Sequence, residues 1–459
     1  MTQSGKTKVN SHDKQGETGN MSRIASKFGG SSVADHRQFM KVRAIVDANP
    51  KRSVIVPSAP GKRTAAETKL TDLLFLCHKM AAVKADFSGP FEQIRDRYIE
   101  IERELGLSTN MGLELEKFRA ELGAGQTPDY AASRGEYFCG LLMASYLGAE
   151  FVDPADFIII DASGCVDPST YPLLARRLED PAKRYVMPGY YGRDHQGRIK
   201  TFSRGGSDIS GAIAARAAKA EVYENWTDVS GLLMADPRIV ANPRPMSEVS
   251  YREIRELSYM GASVFHDEAI LPVREAGIPI NIRNTNKPED PGTMIVAKLS
   301  PETEKNTEIA GIAGKKHFSM ICLEKSLMNK EVGFAYRLLG ILESRGISFE
   351  HCPSSIDSIN VIIEDGRLGD KTEVILNEIQ RVLQPDSMEL ERDLALIAIV
   401  GEEMSHTVGI AAKVFIALRN AGVNIRIINQ GASELNIIVG VSSEDYEKAV
   451  RALYRAFVD

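Results

Sequence analysis

Lys27-Phe28-Gly29-Gly30-Ser31-Ser32-Val33 follows directly on a short apolar run, and the reading of the whole chain turns on this stretch. Two adjacent glycines let the backbone approach a phosphate closely, and successive N–H groups form a concavity for an anion. A helix starting just after would add its positive end to the same place. Lys27 would bring a full charge to a phosphoryl group. Taken alone, the same residues also describe a plain strand–turn–helix corner with a surface lysine.

A second glycine-rich segment, Phe202-Ser203-Arg204-Gly205-Gly206-Ser207-Asp208, again opens a helical stretch, Ile209–Ala218. Arg204 offers a planar fork suited to a carboxylate. Ser207 and Asp208 stand where a helix start places them, and simple capping would explain both. Two cradles in one domain suggest two anionic ligands, one a nucleotide and one a carboxylate. The third segment is Thr227-Asp228-Val229-Ser230-Gly231, followed by Ala235-Asp236-Pro237-Arg238. It reads either as a nucleotide-holding strand end or as turn chemistry alone.

Around these segments, residues 22 to 300 alternate short β-branched runs with helical periodicity. Ser53–Pro57, Phe157–Asp161, Arg184–Pro188, Ala220–Asn225 and Ile278–Arg283 read as strands; Leu70–Val83 and Phe91–Leu105 read as helices. That alternation predicts an α/β domain with a mainly parallel sheet. After a polar segment at 296–308, two similar units of about 70 residues follow. Their shared element is visible in Leu338–Cys352 and Val414–Ile428, each an amphipathic helix, a glycine and a strand. Each unit reads as βαββα, which predicts paired ferredoxin-like modules. The second unit ends on a helix, so its fourth strand must come from elsewhere, and Ile309–Ala313 is the available donor.

The chain has 459 residues and a formal net charge of -6, which supports several domains and argues against a nucleic-acid partner. No apolar run is long enough to span a bilayer. Residues 1–21 are polar, lack the apolar core of a secretion signal, and read as a disordered extension. The five cysteines, Cys77, Cys139, Cys165, Cys322 and Cys352, form no CxxC pair, so neither a metal cage nor a disulfide framework is expected. A reducing, cytoplasmic setting follows as the expectation.

Lys27–Ala34 (KFGGSSVA), Gly135–Gly140 (GEYFCG), Ser203–Ala212 (SRGGSDISGA), Thr227–Arg238 (TDVSGLLMADPR), Gly261–His266 (GASVFH) and Ile282–Thr285 (IRNT) resemble aspartokinase segments in kind and order. The aspartokinases are a branch of the amino acid kinase superfamily. The resemblance runs from residue 22 to 459, and the tail units look like ACT domains. It implies an amino acid kinase-like αβα sandwich at 22–305, one ACT domain at 306–392 and a second at 393–459. It also implies ATP-dependent phosphorylation of the side-chain carboxylate of L-aspartate with Mg²⁺, opening the synthesis of lysine, threonine and methionine. Another amino acid kinase, or a sensor that has lost catalysis, are the alternatives. No further catalytic domain is expected after residue 459.

The roles the resemblance implies are specific. Lys27, Gly29, Gly30 and Ser31 would contact the transferring phosphoryl group, and Asp208 would orient Lys27. Ser58, Thr71 and Ser207 would line the substrate pocket; Glu136 would pair with the α-ammonium and Arg204 with the α-carboxylate. Thr227, Asp228 and Arg238 would lie along the nucleotide. Two departures stand out: Ser263 and Leu233 occupy positions where many aspartokinases carry a lysine and a tyrosine. Tyr190 and Tyr191 are either substrate neighbours or packing. In the tail, Met328, Gly333, Phe334, Ser348, Phe349, Glu350, Asn429 and Gln430 are the candidate effector contacts for lysine or threonine, in a homodimer or larger assembly. The chemistry agrees with such a set. An aspartate side chain, with pKa about 3.9, is already an ionised nucleophile at neutral pH, so no general base is needed. The difficulty is to bring one anion up to another, which calls for positioning and positive charge. Mg²⁺ would ride on ATP oxygens and water, so no dedicated metal ligands are expected.

Overall fold

The computed structural model describes residues 22–202, 205–262, 270–306 and 308–458. The N-terminal extension, Ser203, Arg204, Ser263 and His266 lie outside these residues.

The first ten strands are β1 (Ile24–Phe28), β2 (Arg52–Pro57), β3 (Glu150–Phe151), β4 (Tyr185–Val186), β5 (Tyr191–Arg193), β6 (Ile199–Thr201), β7 (Val222–Thr227), β8 (Glu248–Ser250), β9 (Ile280–Asn284) and β10 (Thr293–Val296). β5 and β6 pair as a hairpin; the other eight form one sheet in the order β3-β4-β2-β1-β7-β9-β10-β8. All its neighbours run parallel except β9 and β10. β1 and β2 are buried along their whole length, as central strands covered on both faces must be. Phe28 is the register partner of both Pro57 and Trp226, so the loops after β1, β2 and β7 leave the sheet side by side. In an open parallel sheet this carboxyl edge is where ligands bind.

One polar cluster pins these strands together beneath that edge. Glu224 accepts from Arg52 at 2.8 and 3.0 Å, from Ser26 at 2.9 Å and from Trp226 Nε1 at 2.9 Å. Trp226 also stacks on Phe28 and lies under the Arg52 and Arg283 guanidinium groups. It is therefore a core residue. A buried carboxylate is tolerable here because its lone pairs are filled.

Some elements differ from their sequence reading. The stretch Phe157–Asp161 is not a strand: Pro154–Phe157 is a helical turn, started by Asp153 and Pro154, and only bridges at Ile159 and Ile160 follow. The helix read from Ile209 begins at Gly206, because Gly205 (φ 75°) supplies the left-handed turn that starts it.

The tail forms one antiparallel sheet of β11 (Gly311–Glu324), β12 (Ser358–Glu364), β13 (Ser387–Val400), β14 (Ile427–Asn429) and β15 (Asn436–Ser442), in the order β12-β11-β13-β15-β14. β11 and β13 run through both units. The register of β11 against β13 shifts around His317, and His317 (φ 73°) and Asp393 (φ 59°) are both left-handed there. Gly311–Lys316 pair with Ala395–Val400, while Phe318–Glu324 pair with β12. The strand expected at Ile347–Cys352 is reduced to a bridge from His351 to Ile362. A core of side chains from Ala25 to Tyr454 joins the catalytic sheet to the second tail unit; the first unit has its own core around Phe334 and Leu338.

Candidate active site

Lys27 sits near the end of β1 and is 8% exposed. Its Nζ lies 2.5 Å from Asp208 Oδ1, in the first turn of the helix Gly206–Ala217. Asp208 makes no side-chain cap to that helix; its partners are Lys27 and Asn225 Nδ2, the latter at 2.9 Å. The loop after Lys27 continues into a short 3-10 turn, Gly30–Val33. Gly29 N–H is spent on Trp226 O at 2.9 Å. Among the described residues, the N–H groups of Gly30 and Ser31 find no acceptor, so they are the free donors of this loop. Gly30 also needs its lack of a side chain: a Cβ there would meet Ala59 O at 3.1 Å and the Gly61 backbone at 3.3 Å.

Arg97 holds this loop from behind. Its guanidinium, largely buried, donates to Ala34 O at 2.9 Å, to Gly61 O, and to Glu67 at 2.9 Å.

A second group, of opposite character, lies beside Ser207, the neighbour of Asp208. Glu136 lies in the helix Pro128–Leu147, which Thr127 caps, Pro128 starts and Gly148 (φ 60°) ends. That helix is buried on most of its circumference, Glu136 included. Burial pushes the Glu136 carboxyl up to about 8, against the Ala59 N–H and the Ser207 hydroxyl, which both act to lower it. Among the described residues, its Oε2 is buried with no partner. A buried carboxylate oxygen of this kind calls for a proton, a hydrogen-bond donor or a cation.

Ser207 fits against Gly189, where a Cβ would come within 2.7 Å of the Ser207 side chain. Next to it, Tyr190 adopts φ 79°, a left-handed conformation that is costly for an aromatic residue. Its N–H is held by Ser210 Oγ at 2.9 Å, and burial raises its hydroxyl above the usual tyrosine range. Tyr191 is buried, donates to Asp153 at 3.0 Å and packs. Ser58 is half-buried just beyond β2, its N–H on Phe28 O at 3.0 Å. Thr71 is half-buried on the first turn of the helix Leu70–Ala82, whose Leu70 and Leu74 close over Gly135.

Thr227 ends β7 half-buried, bonded to the exposed Asp228 at 3.3 Å. Beyond them a cleft of about 300 Å³ is lined by Val229, Leu233, Pro237, Arg238, Ala262 and, from the tail, Tyr446. The Arg238 side chain is 87% exposed and paired with Asp236 at 2.6 Å. Tail groups hold this loop: Ile312 N–H donates to Met234 O, Arg451 to Ile239 O, and Tyr454 Oη accepts from Arg244 N–H at 2.8 Å.

The tail candidates fall into two groups rather than one. Gly333 and Phe334 stand at the start of the helix Phe334–Ser344, and Met328 lies between Leu327 and Asn329, which bond Asp357 and Ile356 just before β12 begins. Ser348, Phe349 and Glu350 lie toward its far end, with Arg367 donating to Ser348 and Glu350 N–H bonded to Ile362 O. Asn429 joins the second group through His351 at 3.0 Å, and Gln430 is exposed. Tyr259, on a catalytic-domain helix, donates to Glu350.

Asn225 and Arg97 escaped the sequence reading. Asn225 carried a signal: a polar side chain in mid-strand of a buried parallel strand needs a partner. Arg97 carried none, since one arginine on an amphipathic helix looks like surface.

Comparison with known proteins came to the same place. Residues 22–284 match the amino acid kinase family and residues 397–457 an ACT domain. The chain is 41% identical over 450 residues to aspartokinase 3 of Bacillus subtilis, covering 94% of this chain and 98% of that one. It superposes on the crystal structure of Clostridium acetobutylicum aspartate kinase with a TM-score of 0.91 at 51% identity, over 95% of this chain and 100% of that one. Escherichia coli aspartokinase III matches at 26% identity with a TM-score of 0.74, again over 95% and 100%. That enzyme has been solved with aspartate and ADP in its R-state, and with lysine and aspartate in its T-state.

Proposed function

The chain belongs to the aspartokinases of the amino acid kinase family, and we propose how its own residues divide the work of that reaction. The enzyme transfers the terminal phosphoryl group of ATP to the side-chain carboxylate of L-aspartate, giving 4-phospho-L-aspartate. One observation carries the assignment of the aspartate pocket: the buried, unpartnered Oε2 of Glu136. The substrate's α-ammonium would satisfy it and hold the carboxyl ionised. Ser207 and Ser58 would line the same pocket with Thr71 at its margin, and Arg204 would take the α-carboxylate. Lys27, with the N–H groups of Gly30 and Ser31 on the Gly29 turn, would face the transferring phosphoryl group while Asp208 aims the ammonium. Thr227, Asp228 and Arg238 would follow the nucleotide toward the cleft beside Leu233.

The nucleophile needs no base, because it is already an anion. Lys27 and the backbone donors therefore offset the repulsion between two negative reactants and the charge that spreads over the phosphoryl oxygens. Among the described residues no cluster of three His, Cys, Asp or Glu could hold a metal. Mg²⁺ would be carried by triphosphate oxygens and water, and would neutralise phosphate charge.

We divide the chain into a catalytic domain at 22–305 and regulatory modules at 306–392 and 393–459, with β11 and β13 shared by both modules. Lysine, threonine or both would act on the modules; supporting this, Tyr259 reaches from the catalytic domain to Glu350. The exposed apolar side chains Leu327, Val332, Tyr336 and Ile356 around the first module support a homodimer, in which the two separated effector groups would meet. No helix is long and apolar enough to cross a membrane among the described residues, and the five free cysteines support a reducing, cytoplasmic setting.

The test is ADP release with Mg²⁺–ATP and aspartate, compared with glutamate, N-acetylglutamate and N-acetylaspartate. Aspartate alone should turn over; N-acetylaspartate, which lacks the ammonium, should fail. Turnover of N-acetylaspartate at a rate near that of aspartate would remove Glu136 from its role.

A further inference from the structure

We infer that Asn225 is a positioning residue for phosphoryl transfer, aiming the Lys27 ammonium and sustaining Asp208 when that ammonium turns to the phosphate. This rests on the reading of Lys27 as the cation that meets the phosphoryl group. Asn225 is the register partner of Lys27 across the β1–β7 pair and is 3% exposed. Its amide meets both charged groups: Lys27 Nζ donates to Asn225 Oδ1 at 3.4 Å, and Asn225 Nδ2 donates to Asp208 Oδ1 at 2.9 Å. With the 2.5 Å contact between Lys27 and Asp208, the three side chains close a triangle.

The triangle has a directional consequence. An ammonium has three donors and no acceptor. Two of those on Lys27 are taken by Asp208 Oδ1 and Asn225 Oδ1, so the third is left to point elsewhere. Nζ lies only 3.5 Å from where a Cβ on Gly29 would stand, which puts it beside the glycine loop. A carboxylate alone would let the ammonium rotate about one contact; the amide oxygen adds a second fixed point and removes that freedom. An apolar residue of the same size at position 225 would keep the strand and its packing but free the lysine.

The donor half of the amide matters at a later moment. As Lys27 engages a phosphoryl oxygen, its bond to Asp208 lengthens, and a buried carboxylate without a donor is expensive. Asn225 Nδ2 keeps a donor on Oδ1, so the ammonium can shift without orphaning its partner. An amide does both jobs with one side chain; a carboxylate there would supply the acceptor but remove the donor and add a second negative charge.

The experiment measures kcat, both KM values and the melting temperature for Asn225→Leu, Asn225→Asp and Lys27→Ala in the full-length enzyme. Asn225→Leu removes both amide contacts, and losing even one hydrogen bond to a charged group predicts a kcat about 10- to 100-fold lower, with either KM changed less than about threefold. Asn225→Asp, which keeps the shape and the acceptor but replaces the donor with a second negative charge, should fall by at least about tenfold in kcat in the folded protein, and it decides the matter if Asn225→Leu does not fold. Lys27→Ala should fall furthest. If Lys27→Ala is inactive while a folded Asn225 variant keeps kcat within twofold, or loses only in KM, the inference fails and the reading of Lys27 stands. If Lys27→Ala itself turns over normally, that reading fails and takes the inference with it.

Discussion

Glu136, as the proposed partner of the substrate ammonium, makes the binding of aspartate a proton-linked event. With its carboxyl at about 8, roughly a tenth of the free enzyme carries the anion at pH 7. Pairing with the substrate ammonium requires the anion, so the proton must leave as aspartate enters. The sign follows directly: the free enzyme holds the proton and the complex does not, so affinity rises with pH. The apparent Kd for aspartate should fall about tenfold per pH unit below 8 and level off above it, a difference of about 1.4 kcal/mol between pH 7 and the plateau. At pH 7 close to one proton, about 0.9, should be released per aspartate bound. Isothermal titration in two buffers of different ionisation enthalpy counts that proton, and repeating it from pH 6 to 8.5 gives the slope. Glu136→Gln should abolish the release and weaken binding at pH 8.5 by about 100-fold, the cost of losing one charged, buried contact. A Kd that stays flat from pH 6 to 8.5, with no buffer-dependent enthalpy, would refute the assignment.

Three further outcomes follow from the packing. Gly189→Ala places a methyl group within 2.7 Å of the Ser207 side chain, so it should raise KM for aspartate about tenfold by displacing that hydroxyl, with KM for ATP unmoved in steady-state kinetics. Arg97→Met removes the donor shared by Ala34 O, Gly61 O and Glu67; urea denaturation should show a loss of about 2–4 kcal/mol, with lower kcat as the Gly30 loop loosens. Tyr454→Phe deletes the hydroxyl that accepts from Arg244 N–H in the loop beside the cleft proposed for the nucleotide, so KM for ATP should rise about 3- to 10-fold while KM for aspartate stays put.

The glycine loops and the alternation of strands and helices were legible because they are local: a glycine pair after an apolar run, or a 3.6-residue period, needs no tertiary knowledge. The internal repeat was equally visible, yet the single five-stranded sheet was not, since nothing local tells β11 and β13 to continue past His317 and Asp393. Phe157–Asp161 misled because its β-branched run outweighs the Asp153–Pro154 helix start in a propensity reading, whereas the structure honours the cap. Asp208 stands beside Lys27, a pairing that the sequence offered only through the family resemblance; from its position alone it looked like a helix cap. Asn225 and Arg97 were missed because their partners lie far off in sequence: Asn225 meets a carboxylate 17 residues away and Arg97 a carbonyl 63 residues away. Pairings of that range are set by the sheet order and not by any motif.

The most direct test traps the acyl phosphate. With Mg²⁺–ATP, aspartate and hydroxylamine, the enzyme should accumulate aspartyl β-hydroxamate in step with ADP, and Lys27→Met should reduce that rate by at least about a thousandfold while remaining folded. Hydroxamate formed at an undiminished rate by Lys27→Met would contradict the claim that this ammonium is what lets the two anions react.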